Sequence, residues 1–117
     1  MTIGEISKKY NVSRRTIDYW TNVGILTPTT TLYGKGDKME CRDYGKSNEV
    51  RLKIALFCKC AGMSIDDTLT WVKVIMYDGQ MMRNESLKEF FKKMIQEQRD
   101  KAVRDYDAAL EYVDSIL

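Results

Sequence analysis

Apolar residues near the start of the chain fall at Ile3, Ile6 and Tyr10, an i, i+3, i+7 spacing that predicts a short amphipathic helix. Asn11 and Val12 leave room only for a tight turn. Ser13 then offers a hydroxyl suited to capping a helix N-terminus, and the residues after it divide into two faces. Arg14, Arg15, Asp18 and Tyr19 share one face, while Ile17 and Trp20 share the other. Two helices joined by so short a turn, the second bearing paired arginines, predict a helix-turn-helix with residues 13–20 as its recognition helix.

Gly24 suits a helix-ending position with positive φ, Ile25 and Leu26 are expected to bury against the helix pair, and Thr27-Pro28 stops any continuation. Residues 29–33 are, apart from Leu32, β-branched or aromatic, 34–38 are turn-forming, and 39–42 can run back, which predicts a short hairpin with a lysine-bearing tip. A hairpin following a helix-turn-helix makes a wing. Helical spacing returns over 47–61, with Val50, Ile54, Phe57 and Ala61 as the apolar stripe and Gly62 as the stop. Ser64 caps a further helix with Asp66 and Asp67 in its first turn and Ile65, Leu69, Val72 and Met76 on one face. Residues 77–80 break this pattern.

From residue 86 to 117 neither Gly nor Pro occurs, and apolar residues recur at Leu87, Phe91, Ile95, Ala102, Val103, Tyr106, Leu110, Val113 and Leu117. A helix of that length reaches about 48 Å, longer than so small a domain can cover with its own surface. The economical partner is the same stripe on a second copy, closed by two-fold symmetry. The expected fold is therefore mainly α: a winged helix-turn-helix with a small β-hairpin wing, a second helix pair and a long C-terminal dimerisation helix. The expected organisation is a DNA-binding domain over 1–77, a connection over 78–85 and a coiled-coil helix over 86–117.

Length and composition narrow this further. A chain of 117 residues with 44% hydrophobic content supports one modest core. The absence of an eighteen-residue apolar run and of an apolar signal region predicts a cytoplasmic protein with no membrane association. The net charge of +2 conceals a segregation: residues 1–62 hold 11 Lys and Arg against 6 Asp and Glu, whereas residues 63–117 hold 8 against 11. The basic half is the half with the helix-turn-helix, as a phosphate-binding surface requires. The three cysteines, Cys41, Cys58 and Cys60, form an odd set, and the chain has no histidine. Cys58 and Cys60 point to different faces of one helix and make poor joint metal ligands, so inert, reduced thiols are expected.

Taken together these stretches resemble the MerR family of winged-helix transcription regulators. The likeness rests on Thr2-Ile3-Gly4-Glu5-Ile6, on Val12 through Trp20, on Gly24-Ile25-Leu26 with Pro28, on Arg42-Asp43-Tyr44 with Arg51-Leu52 behind it, and on Ala61-Gly62-Met63-Ser64-Ile65. The resemblance implies a homodimer on double-stranded DNA, joined by an antiparallel coiled coil, with a recognition helix in each major groove and a wing over the backbone. It implies RNA polymerase as a further partner. Arg15, Tyr19, Arg42 and Tyr44 match family positions that contact DNA, chiefly phosphates. The candidate DNA-binding set is Thr2, Ser13, Arg14, Arg15, Thr16, Asp18, Tyr19, Lys35, Lys38, Arg42 and Tyr44. The dimerisation set is Phe91, Ile95, Ala102, Val103, Tyr106, Leu110, Val113 and Leu117.

Three departures from the family pattern stand out. Asp18 occupies a basic or neutral position, where a carboxylate repels phosphate unless it accepts from a cytosine amine or pairs with an arginine. Trp20 replaces a tyrosine and suits core packing. The chain ends at Leu117, and residues 61–117 hold no cysteine or histidine, so neither an effector domain nor the family's metal site is expected, and no cofactor. The leading function is a dimeric regulator reading a pseudo-palindrome. An excisionase-like recombination accessory is the alternative within DNA binding, and a coiled-coil interaction adaptor is the alternative outside it. An enzyme is not expected, because no histidine, no serine-base-acid spacing and no glycine-rich phosphate loop is present.

Overall fold

A computed structural model of the chain describes residues 1–36, 39–77 and 84–117. The chain order is α1 (Ile3–Tyr10), α2 (Arg14–Asn22), β1 (Thr29–Tyr33), β2 (Met39–Asp43), α3 (Lys46–Cys60), α4 (Ile65–Tyr77) and α5 (Asn84–Ile116). It divides into two compact units, Met1–Gly79 and Gln80–Leu117. The mainly helical winged helix-turn-helix with a long C-terminal helix is thus the fold adopted.

Local chemistry fixes the first unit's helix ends. Thr2 Oγ1 accepts from the Glu5 amide at 3.1 Å, and Glu5 Oε1 accepts in return from the Thr2 amide, a capping box that opens α1. Asn11 ends it in the left-handed region, with φ 52°. Ser13 Oγ accepts from the Thr16 amide at 3.1 Å and opens α2. Gly24, at φ 90°, then turns the chain so that the Ile25 and Leu26 amides both reach back to the Trp20 carbonyl, at 2.9 and 3.2 Å. A side chain there would be strained, which is why glycine suits the position.

Ile6, Ile17, Trp20, Ile25, Leu26, Leu52, Ile54, Val72 and Ile75 form the core of this unit. Asn48, also buried, pins the stretch leaving α2: its Oδ1 accepts from the Thr27 amide at 2.7 Å and its Nδ2 donates to the Thr27 carbonyl at 3.2 Å. Arg51 donates to the Ile25 carbonyl at 3.1 Å. The wing is an antiparallel pair with Thr29 opposite Asp43 and Tyr33 opposite Met39. Almost all of its side chains are exposed, so the hairpin contributes surface and little core.

Two expected helix faces are corrected. In α3 the buried set includes Leu52, Ala55 and Cys58 with Val50 and Ile54, whereas Phe57 and Ala61 are half-buried. A helix covered on more than one side buries a wider arc than a single stripe. In α4 the buried residues are Thr68, Val72 and Ile75, with Ile65, Leu69 and Met76 half-buried at the margin. The face is rotated because Thr68, polar in the sequence, satisfies its hydroxyl internally by donating to the Ser64 carbonyl at 2.7 Å. Of the expected connection, residues 78–83 lie outside the described residues, and α5 starts at Asn84, ahead of residue 86. None of the described helices is long and apolar enough to cross a membrane.

The Lys9, Tyr10 and Glu49 cluster ties α1 to α3: Lys9 Nζ lies 2.6 Å and Tyr10 Oη 2.8 Å from Glu49 Oε1. Burial, and then the Glu49 carboxylate, push the Tyr10 phenol from 10 up to about 12. Lys9 and then Tyr10 hold Glu49 below its ordinary value. The signs differ. Tyr10's contribution to stability is complete below its unfolded pKa of 10 and is lost as pH rises through about 12. Glu49's contribution is complete above 4.5 and is lost as pH falls through its depressed folded value. Urea midpoints for wild type and Tyr10→Phe are therefore expected to converge above pH 10. A gap that stays constant with pH would contradict this coupling.

Candidate nucleic-acid interface

The capped start of α2 presents Arg14 and Arg15 to solvent, and no carboxylate among the described residues pairs with either. Tyr19 lies one turn further on and is 49% exposed, a large aromatic left at the surface of an otherwise polar face. Ile17 and Trp20 on the opposite face are buried and anchor the helix. This division matches the two-faced reading of residues 13–20. Ser13 and Thr16 join hydroxyls at 2.9 Å beside the cap, and Thr2 is engaged in its own capping box, so all three already have protein partners.

Arg14 has a further constraint that its sequence context does not announce. A Cβ built on Gly4 of α1 would sit 2.7 Å from Nη2 of Arg14, closer than real contacts allow, so the guanidinium rests directly over the bare glycine backbone. Gly4→Ala is expected to leave the fold intact or stabilise it by up to about 1 kcal/mol, since alanine favours helix. It is also expected to push the Arg14 head aside and weaken DNA binding. Thermal melts and a duplex titration of the same variant check both halves; unchanged DNA affinity would show that Arg14's seat is irrelevant.

Asp18, the residue out of family pattern, pairs with a wing arginine: Arg42 Nη1 lies 2.7 Å from Asp18 Oδ1, and Arg42 Nε lies 2.7 Å from Glu40 Oε1. Glu40 first, then Asp18 and Tyr44, hold Arg42 still more firmly in its charged form. The bridge joins the recognition helix to β2 and neutralises Asp18 locally. It also leaves Arg42 between two carboxylates, a poorer phosphate ligand than Arg14 or Arg15.

The Tyr44 hydroxyl, expected among the DNA contacts, is engaged within the protein in the single chain. Tyr44 is 0% exposed, with Oη 2.9 Å from Thr21 Oγ1. Thr21 gives its own proton to the Ile17 carbonyl at 2.8 Å, so Tyr44 is the donor of that bond. Its backbone is occupied as well, since the Tyr44 amide donates to the Met1 carbonyl at 2.7 Å. Tyr44 therefore packs the wing base onto α2. On the wing itself Lys35 is exposed, and Lys38 lies outside the described residues. Gly4, Thr21, Glu40 and Asn48 were not singled out from sequence. Only Glu40 carried a signal, two residues before Arg42 on the same strand face.

The thiols diverge as the spacing predicted, with Cys58 buried and Cys60 exposed. Burial pushes the Cys58 thiol up. Among the described residues no group of three His, Cys, Asp or Glu side chains could hold a metal ion.

No curated protein and no solved structure matches the chain. The model of a family described as "MerR HTH family regulatory protein" matches residues 1–70, which takes in both helices of the helix-turn-helix, the wing, α3 and the start of α4. More than half of the chain, including the arginine-bearing helix and the wing behind it, thus fits one pattern, and the chain belongs to the MerR family of helix-turn-helix DNA-binding transcription regulators.

Proposed function

We propose that the chain acts as a homodimer that reads a pseudo-palindromic duplex site, residues 1–77 binding DNA and residues 86–117 joining the two copies. The observation that carries the DNA half is the exposed, carboxylate-free pair Arg14 and Arg15 beside Tyr19 on α2. Arginine supplies a planar fork of donors for phosphate or guanine edges. The Asp18–Arg42 bridge sets the wing against α2, and Lys35 adds a weak backbone contact from the wing. The dimer half rests on α5, where Val103, Tyr106, Leu110, Val113 and Leu117 recur at 3-4 spacing and are all exposed in the single chain. Such a seam on a helix of about 50 Å is covered when a second copy lies along it.

Titration of a mixed-sequence duplex at several salt concentrations tests the binding class. Affinity should fall steeply as salt rises, each neutralised phosphate adding about 0.9 to the logarithmic slope. Absent or salt-insensitive binding would favour the interaction adaptor.

A further inference from the structure

A cavity of about 300 Å³ lies inside the first unit, behind the recognition helix and bounded by α2, α3 and the start of α4. Trp20, Ala55, Met63 and Ile65 supply apolar walls, and Tyr19 and Lys59 stand at the polar side. Trp20 and Ala55 are buried while Tyr19 and Lys59 are exposed, so the space opens to solvent on the side of those two heads. We infer that this cavity is a binding site for a small single-ring aromatic carboxylate.

Each part of that description has a physical source. The volume sits at the lower end of the roughly 300–1,000 Å³ of small-molecule sites, which admits one ring more readily than two. Indole, phenol and thioether walls favour a flat aromatic body. Ala55, fully buried, leaves the space open because its side chain ends at Cβ. The hydroxyls of Thr16 and Thr68, which also border the cavity, are engaged with Ser13 and with the Ser64 carbonyl, so they ask nothing of a ligand. Lys59 is the lining group that does: no carboxylate borders the cavity, and none of the described residues pairs with this ammonium. A negative head on the ligand would answer it.

Calorimetry on the unaltered protein, with benzoate and its neutral counterpart benzamide as the compounds titrated, tests the inference without DNA and so independently of the proposed function. Saturable benzoate binding is expected in the millimolar range or tighter, with benzamide weaker by about fivefold, as one partly exposed ion pair gives. Lys59→Gln, at an exposed position, should bring benzoate down to the level of benzamide. In Trp71→Phe, which leaves Trp20 as the single indole, emission should change with the same midpoint. Absence of benzoate heat on the wild type would overturn the inference and mean that the cavity is closed by the chain itself or by a second copy. Binding that leaves Trp20 emission unchanged, or that ignores Lys59→Gln, would place the compound elsewhere and overturn it equally.

Discussion

Leu110→Lys is expected to sediment as a monomer at micromolar concentration and to lose most of its DNA affinity. Leu110 is 66% exposed on the single chain, at the middle of the 3-4 repeat from Val103 to Leu117. A leucine so placed on a lone helix contributes nothing to folding, and its side chain is apolar surface in water until a partner covers it. Once covered, an ammonium in its place is an unpaired charge inside an apolar seam, which costs about 3–5 kcal/mol. That exceeds two factors of ten in the association constant. Each copy binding a half-site alone would then lack the effective concentration that its tethered partner supplies. The same variant should keep wild-type helix content, because its exposed position makes no contact that folding of one chain needs. A variant that remains dimeric would mean that the two copies meet elsewhere.

Arg15→Ala is expected to weaken DNA binding by about 1–3 kcal/mol, and Lys35→Ala by less than about 1 kcal/mol. The two cations differ in their support. Arg15 stands on α2, a helix capped by Ser13 and anchored by Ile17 and Trp20, so its guanidinium starts from a defined place. Lys35 stands at the tip of a hairpin whose strands are exposed, and its long side chain must be ordered on binding at its own entropic cost. Titrations of both variants against one duplex rank them; equal losses would contradict the assignment of α2 as the principal contact.

Much of the first unit was legible because its signals are local. Ser13, Gly24, Pro28 and Gly62 mark ends, and a two-faced helix as short as α2 has few alternatives once Ile17 and Trp20 are placed inside. The wing was legible from β-branched and aromatic residues ahead of a glycine-rich turn. What escaped depends on neighbours distant in sequence. The buried arcs of α3 and α4 are set by how many elements cover each helix, which periodicity alone does not report. Thr68 had no place in the apolar stripe expected for its helix, yet it is buried with its hydroxyl satisfied. Tyr44 was expected among the DNA contacts, and its bond to Thr21, 23 residues away, which ties the wing base to α2, required the fold to be seen. Asp18 raised the right question in the sequence, while its answer, Arg42, required the hairpin to be folded against α2. The cavity behind Tyr19 and Trp20 lies where no effector site was expected. That expectation looked for a separate domain, whereas this space arises between helices of the DNA-binding unit.

The most direct measurement of the central claim is selection of duplexes from a random-sequence pool by the full chain, followed by footprinting of the enriched DNA. Two identical half-sites in inverted orientation, protected together in the major groove by a dimer and lost together in Arg15→Ala, are what a two-fold pair of recognition helices predicts. An enriched site with a single unrepeated half, or a pool that yields no preferred sequence, would contradict it.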